Sequence, residues 1–210
     1  MIEKYKSVAG ETVTEKIIEK SRFITVSRHM CGDDGAKSFI AEVSKKHADA
    51  THNCYAYVAD NLGNLLRFSD DGEPQGTAGL PILEVIKNKK LFETAVAVVR
   101  YFGGVKLGAG GLVRAYSSSA SENLAGAEIR TLELCVEYEI AVEYAGIDGL
   151  QKYLSSYPCT LLSSEYGEKV LFRVAVRKRL ADAFVSGVKD FMQGRAEAAP
   201  KGEYFGAFKE

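Results

Sequence analysis

Two short segments hold most of the residues whose types and spacing could do chemistry. The first runs Arg100-Tyr101-Phe102-Gly103-Gly104-Val105-Lys106-Leu107-Gly108-Ala109-Gly110-Gly111-Leu112-Val113-Arg114. A glycine-rich loop that opens a helix leaves backbone N–H groups unhindered and points them, with the helix dipole, at one place. That geometry suits an anion. Arg100, Lys106 and Arg114 can add charge-assisted bonds to a phosphate there. The spacing of Gly103, Gly104, Gly108, Gly110 and Gly111 matches neither G-x-x-x-x-G-K-[ST] nor G-x-G-x-x-G, so no nucleotide mechanism is implied. A tight strand-to-helix turn with close glycine packing accounts for the same residues.

The second segment is Ser69-Asp70-Asp71-Gly72-Glu73-Pro74-Gln75-Gly76-Thr77-Ala78-Gly79. Asp70, Asp71 and Glu73 could hold a hard cation or work as acid and base, but EF-hand spacing is absent. A solvated turn stiffened by Pro74 explains them as well, and the expectation is a recognition loop including Gly76 and Thr77, with no metal. His52 and Asn53 stand at a strand entrance as exposed hydrogen-bonding candidates, while Cys54 alternates inward and reads as inert packing. His47 at a helix end and His29 after a strand read as structural. Ser117-Ser118-Ser119 lacks the G-x-S-x-G elbow of a hydrolase nucleophile. No catalytic set and no cofactor are assigned.

Several elements must position these residues. Residues 15–28 are β-branched and extended, and a helix follows with Phe39, Ile40, Val43 and His47 at helical spacing. Strands at 54–59 and 65–69 flank the turn Asp60–Asn64 as a hairpin. Pro81 suits the first turn of a helix striped by Ile82, Val85 and Ile86. Ala95 to Val99 has no polar alternation, as in a central strand buried on both faces. Residues 111–127 form an amphipathic helix through Val113, Tyr116, Ala120 and Leu124. At Thr131 the register changes: Leu132, Leu134, Val136, Tyr138, Ile140 and Val142 alternate with a largely acidic face. The order from there is β-α-β-β-α-β, a ferredoxin-like unit. The expected domains are 1–130 and 131–210, with the boundary near 128–132.

Composition excludes several classes. The 27 Lys+Arg nearly balance the 28 Asp+Glu, so no global field drives the chain onto nucleic acid or an anionic membrane. The window 77–121 is nevertheless locally basic: Lys87, Lys89, Lys90, Arg100, Lys106 and Arg114 stand against Glu84 and Glu93. The four cysteines have no C-x-x-C pair and no zinc spacing, which reads as reduced and intracellular. The charged N-terminus and short apolar runs fit a soluble, cytoplasmic protein that does not enter a membrane.

Four motifs together carry a resemblance: Lys20-Ser21-Arg22-Phe23-Ile24, Ala50-Thr51-His52-Asn53-Cys54-Tyr55-Ala56-Tyr57, DDGEPQGTAGLP from Asp70 to Pro81, and VRYFGGVKLGAGGLVRAY from Val99 to Tyr116. In order and spacing the chain resembles the IMPACT/YigZ family, in its bacterial two-domain form. The departures are small: Tyr55 where many members carry tryptophan, and Gln75 where serine is common. The resemblance implies an α+β protein. Its first domain would be an α/β sandwich like the second domain of ribosomal protein five of the small subunit. Its second would be a ferredoxin-like domain similar to the C-terminal domain of elongation factor G. It also implies a translation theme. Eukaryotic members restrain a starvation-responsive translation kinase by competing for its activator, a partner that does not follow for a two-domain chain.

The expected function is a non-enzymatic regulatory protein that contacts RNA or a ribosome-associated partner through residues 100–114. The alternative is a phosphate-handling or hydrolytic enzyme built from the 70–79 and 100–114 loops. Oligomeric state and the partner's identity do not follow from the residues.

Overall fold

A computed structural model describes residues 2–208 of the chain. The protein is α+β and divides into two units: Tyr5–Arg130, and Thr131 onward joined by the first residues up to Lys4. That start of the chain is a correction to a first domain of 1–130. The Leu134 N–H donates to the Glu3 carbonyl at 2.8 Å, which ties the chain's beginning to the strand that opens the C-terminal unit. The boundary also has no loose linker, because one helix ends at Gly126 and the next strand starts at Ile129.

The N-terminal unit contains β1 (Lys4–Val8), β2 (Thr12–Ile18), β3 (Ser21–His29), α1 (Gly32–Lys46), β4 (His52–Val58), β5 (Leu66–Ser69), α2 (Gly79–Asn88), β6 (Thr94–Tyr101) and α3 (Gly108–Gly126). Its main sheet has the order β2-β3-β6-β4-β5, antiparallel throughout. The apolar run Ala95–Val99 therefore lies in the middle strand, and its two faces feed two cores. Val96 and Val98 pack with Ile82, Ile86 and Tyr116 beneath α2 and α3. Ala95, Ala97 and Val99 pack with Phe39 and Val43 of α1. A strand without polar alternation is stable here because helices cover both sides.

The C-terminal unit contains β7 (Ile129–Val142), α4 (Ile147–Ser156), β8 (Cys159–Tyr166), β9 (Val170–Arg177), α5 (Ala181–Phe191) and β10 (Ala198–Ala207). Strand β7 pairs with β10 on one edge and β9 on the other, and β9 pairs with β8, the ferredoxin-like arrangement. Val136, Tyr138, Ile140 and Val142 face α4 and α5, where Leu150, Phe172 and Phe184 complete the core. Part of the acidic face of β7 is paired with its neighbours: Glu133 with Arg177 at 2.9 Å, and Glu139 with Lys201 at 2.8 Å. Among the described residues no helix is long and apolar enough to cross a membrane.

The buried core of the C-terminal unit is drawn entirely from residues beyond 135. A fragment of residues 131–210 is therefore expected to unfold cooperatively on heating, followed by circular dichroism, with mixed helix and strand signal at 25 °C. A fragment without a melting transition would show that the unit depends on the rest of the chain.

Candidate functional site

Side chains alternate across a strand, so the inward series Val96, Val98 continues to Arg100. Arg100 lies opposite Phe23 of β3 and His52 of β4 in the sheet register, which puts all three on the face beneath α3. Its side chain is 6% exposed and pairs through Nη1 with Glu73 Oε1 at 2.7 Å; the Glu73 side chain is 4% exposed. The Tyr116 hydroxyl of α3 donates to the same oxygen at 2.7 Å. Arg100 Nη2 donates to Ser21 Oγ at 3.3 Å, and the guanidinium lies 5.5 Å from the ring centroids of both Phe23 and Phe102. Arg100, expected with Lys106 and Arg114 to bond a phosphate, is thus buried and paired with a carboxylate. Glu73, expected on a solvated loop, is buried as its counter-ion.

The acidic loop folds back on itself to bring Glu73 inward. The Glu73 N–H donates to the Asp70 carbonyl at 2.9 Å across a turn whose central residues, Asp71 and Gly72, both have positive φ, +41° and +83°. Glycine and Asp are the residues that tolerate this. The Asp70 carboxylate accepts N–H groups from Gly76, Ala78 and Gly79 at 2.8, 2.9 and 2.8 Å, so it caps the start of α2 from nine residues upstream. Burial pushes the Asp70 carboxyl up, but these three donors outweigh it and hold it below the ordinary aspartate value. Asp71 Oδ2 accepts the Asn53 N–H at 2.6 Å, and the Asp71 carbonyl accepts His52 Nδ1–H at 2.7 Å. Thr77 Oγ1 donates to the Pro74 carbonyl at 2.6 Å. The Cys54 thiol donates to the Asp70 carbonyl at 2.9 Å, and burial pushes it up to about 12, so it stays protonated.

The glycine loop crosses the β2–β3 turn closely enough that a Cβ on Gly103 would collide with the Lys20 carbonyl, and Ser21 Oγ accepts the Gly103 N–H at 3.2 Å. Beyond it Gly104, Lys106, Gly108, Ala109 and Gly110 are exposed, Gly111 packs on Leu107, and Arg114 is exposed on the first turns of α3. Leu107, the residue before α3, makes no side-chain cap. The loops 70–79 and 100–114 meet across a cavity of about 350 Å³ lined by His52, Glu73, Arg100, Phe102, Lys106 and Ala109 among others. A second cavity of about 600 Å³ lies on the other side of Lys106 and is lined by Lys16, Glu19 and Arg114 among others. The start of α3 is a ridge between them.

The first cavity offers an uncapped helix start and Lys106 as donors, Phe102 as a partly exposed ring, and His52 and Glu73 as acceptors. Among the described residues no three His, Cys, Asp or Glu side chains are grouped to hold a metal ion. Reading the residues in isolation missed Tyr116 and Phe102. A tyrosine in the apolar stripe of a helix was the available signal, because a buried phenol usually has a hydrogen-bond partner.

Removing the Arg100 guanidinium leaves Glu73 buried without its cation. Arg100→Ala is expected to lower unfolding free energy in urea by about 3–5 kcal/mol. A loss under about 1 kcal/mol would mean that the pair is not needed for folding. Asp70 has a folded pKa below its unfolded value. Its contribution is therefore full above about pH 4 and is lost as pH falls through the folded value. Asp70→Asn should accordingly be less stable than wild type at pH 7, with the gap closing toward pH 2.5. A gap that is the same at both pH values would rule out the charge as its source.

Residues 19–124 match the model for the Impact N-terminal domain, and residues 140–195 match a domain of unknown function, DUF1949. The chain is 36% identical over 197 residues to the IMPACT family member YvyE of Bacillus subtilis, covering 94% of this chain and 91% of that one. It is 38% identical over 188 residues to the IMPACT family member YigZ of Escherichia coli, covering 89% and 92%. A solved structure titled as the crystal structure of a hypothetical protein superposes with a TM-score of 0.66 at 34% identity, covering 96% of this chain and 99% of that chain. With the motifs gathered around one cavity and the matches running over nearly its whole length, this chain belongs to the IMPACT family.

Proposed function

We propose that this protein is a non-enzymatic, translation-associated regulator that binds single-stranded RNA across the start of α3. Membership of the IMPACT family supports the translation-associated regulatory role at the level of the family. One observation carries the RNA reading. The first turn of α3 is exposed and uncapped, and the exposed cations Lys106 and Arg114 flank it. Free N–H groups at a helix start attract phosphate, and cations on either side extend the track along a backbone. Phe102, 46% exposed beside this track, offers a face on which a base can stack.

The acidic loop supports binding over hydrolysis. Asp70 is occupied by three backbone donors and so lacks the freedom a general base uses, and Glu73 is fixed in place through Oε1, which takes both Arg100 and Tyr116. Turning these carboxylates inward also removes repulsion from the path of a polyanion.

The double variant Lys106→Ala/Arg114→Ala alters exposed positions and should fold normally. In fluorescence anisotropy with a single-stranded RNA, it should bind more weakly and with a flatter dependence on salt, by about 0.7 in the log–log slope for each lost contact. Wild-type protein that shows no salt-sensitive RNA binding at low ionic strength, or a double variant that binds as well as wild type, would sink the reading. A protein partner on the translation machinery would then take its place.

A further inference from the structure

We infer that the cavity lined by Phe102 receives the vicinal diol of a ribose, and so reads a free 3′ end of RNA. The inference rests on the RNA reading for the identity of the sugar but has its own observations. Two acceptors from different elements stand side by side among the residues that line the cavity: Nε2 of His52, on β4, lies 3.8 Å from Oε2 of Glu73, in the acidic loop. That is too far for a direct hydrogen bond. His52 Nδ1 meets the Asp71 carbonyl at 2.7 Å and carries a hydrogen to bond it, so Nε2 of the neutral ring is left as an acceptor. The Glu73 side chain accepts from Arg100 and from Tyr116, both at Oε1. Oε2 and Nε2 are thus without a hydrogen-bond partner, yet neither is among the buried polar atoms left without one, so both keep surface that a ligand can reach.

Adjoining acceptors select a ligand with two donors. A fully ionised anion brings none. A second cation would stand beside Arg100, which already bonds Glu73 at 2.7 Å, and Lys106, which lines the same cavity. A lone hydroxyl has one hydrogen and serves one of the two atoms, while an amino group sends its two hydrogens apart from a single nitrogen. Neighbouring hydroxyls on one ring bring two hydrogens that rotate independently, each to its own acceptor. A carboxylate that accepts from a ribose hydroxyl is the arrangement dinucleotide sites use. The rest of the lining suits a sugar and its base: Pro74, Leu107 and Leu112 are apolar, and the Phe102 ring is 46% exposed. Within an RNA strand the 3′ oxygen is esterified, so only the last residue, or a free nucleoside, carries the pair.

The test measures binding to the wild-type protein by isothermal titration. Its probes are an RNA decamer with an ordinary 3′ ribose, the same decamer ending in a 2′-deoxy or a 3′-deoxy residue, adenosine, and 2′-deoxyadenosine. The ordinary decamer should bind about tenfold tighter than either deoxy form, the effect of one hydrogen bond to a charged or buried acceptor. His52→Phe removes Nε2 and keeps an aromatic ring, which a strand accepts. Melting with the wild type, it should erase the cost of removing at least one of the two hydroxyls. The wild-type comparison decides whether or not that variant folds.

Equal affinity for the three decamers overturns the inference and leaves the RNA reading standing. A loss confined to one deoxy decamer overturns it as well, because a single donor would then suffice. Both losses persisting at full size in folded His52→Phe would place the diol elsewhere and have the same effect. Adenosine that binds about tenfold tighter than 2′-deoxyadenosine, with no binding of any decamer, supports the inference and overturns the RNA reading. Binding of none of the five overturns both.

Discussion

The buried pair between Arg100 and Glu73 is the constraint on which the site depends. Two opposite charges with side chains 6% and 4% exposed are tolerable only if hydrogen bonds compensate for the water they have lost. The local sequence is arranged around that need. Tyr116 supplies a second donor to the same carboxylate oxygen, Ser21 takes another guanidinium N–H, and the Phe23 and Phe102 rings flank the cation. These residues come from β3, the end of β6 and α3, so the pair fixes the relative positions of β3, β6, α3 and the acidic loop. A hydrophobic replacement could be as stable. It would not hold the loop in one place.

The pair also sorts charge. With Glu73 held inside and Asp70 acting as a remote cap for α2, the acidic loop presents less negative charge to solvent than its sequence suggests. Lys106 and Arg114 remain exposed on the other loop. A chain that is nearly neutral overall thereby keeps a positive track at the start of α3. Long-range steering would be weak in such a protein, and recognition would rest on contacts within a Debye length, about 8 Å at physiological salt.

Much of the fold was legible in the residues. The unbroken Ala95–Val99 run marked the middle strand, and the alternation from Leu132 to Val142 marked β7, because strand periodicity reports burial directly. The inward place of Arg100 was legible too, since Val96, Val98 and Arg100 share one parity. Charge type concealed it: an arginine beside glycines reads as surface. Other features were not local enough to read. Glu73 is inward only because Arg100 arrives 27 residues later and Tyr116 43 residues later. Nothing within residues 1–4 announces the bond from Leu134 to Glu3, whose partner lies across the whole N-terminal unit.

Two local deficits adjoin the same cavity. A helix of 19 residues starts without a side-chain cap, although Ser, Thr, Asp or Asn before Gly108 would stabilise it by about 1 kcal/mol. A buried arginine in the same wall leaves one N–H without an acceptor. The arginine is not alone in this unit: Ser27 Oγ, Asn53 Oδ1, Ser119 Oγ, Asn123 Oδ1 and Arg130 Nε are also buried without a partner, while α2 has its distant cap in Asp70, and Arg100 Nη1 and Nη2 have partners. Because such groups are spread through the unit, the Arg100 nitrogen marks no special site, and the exposed first turn of α3 is left to water or a ligand.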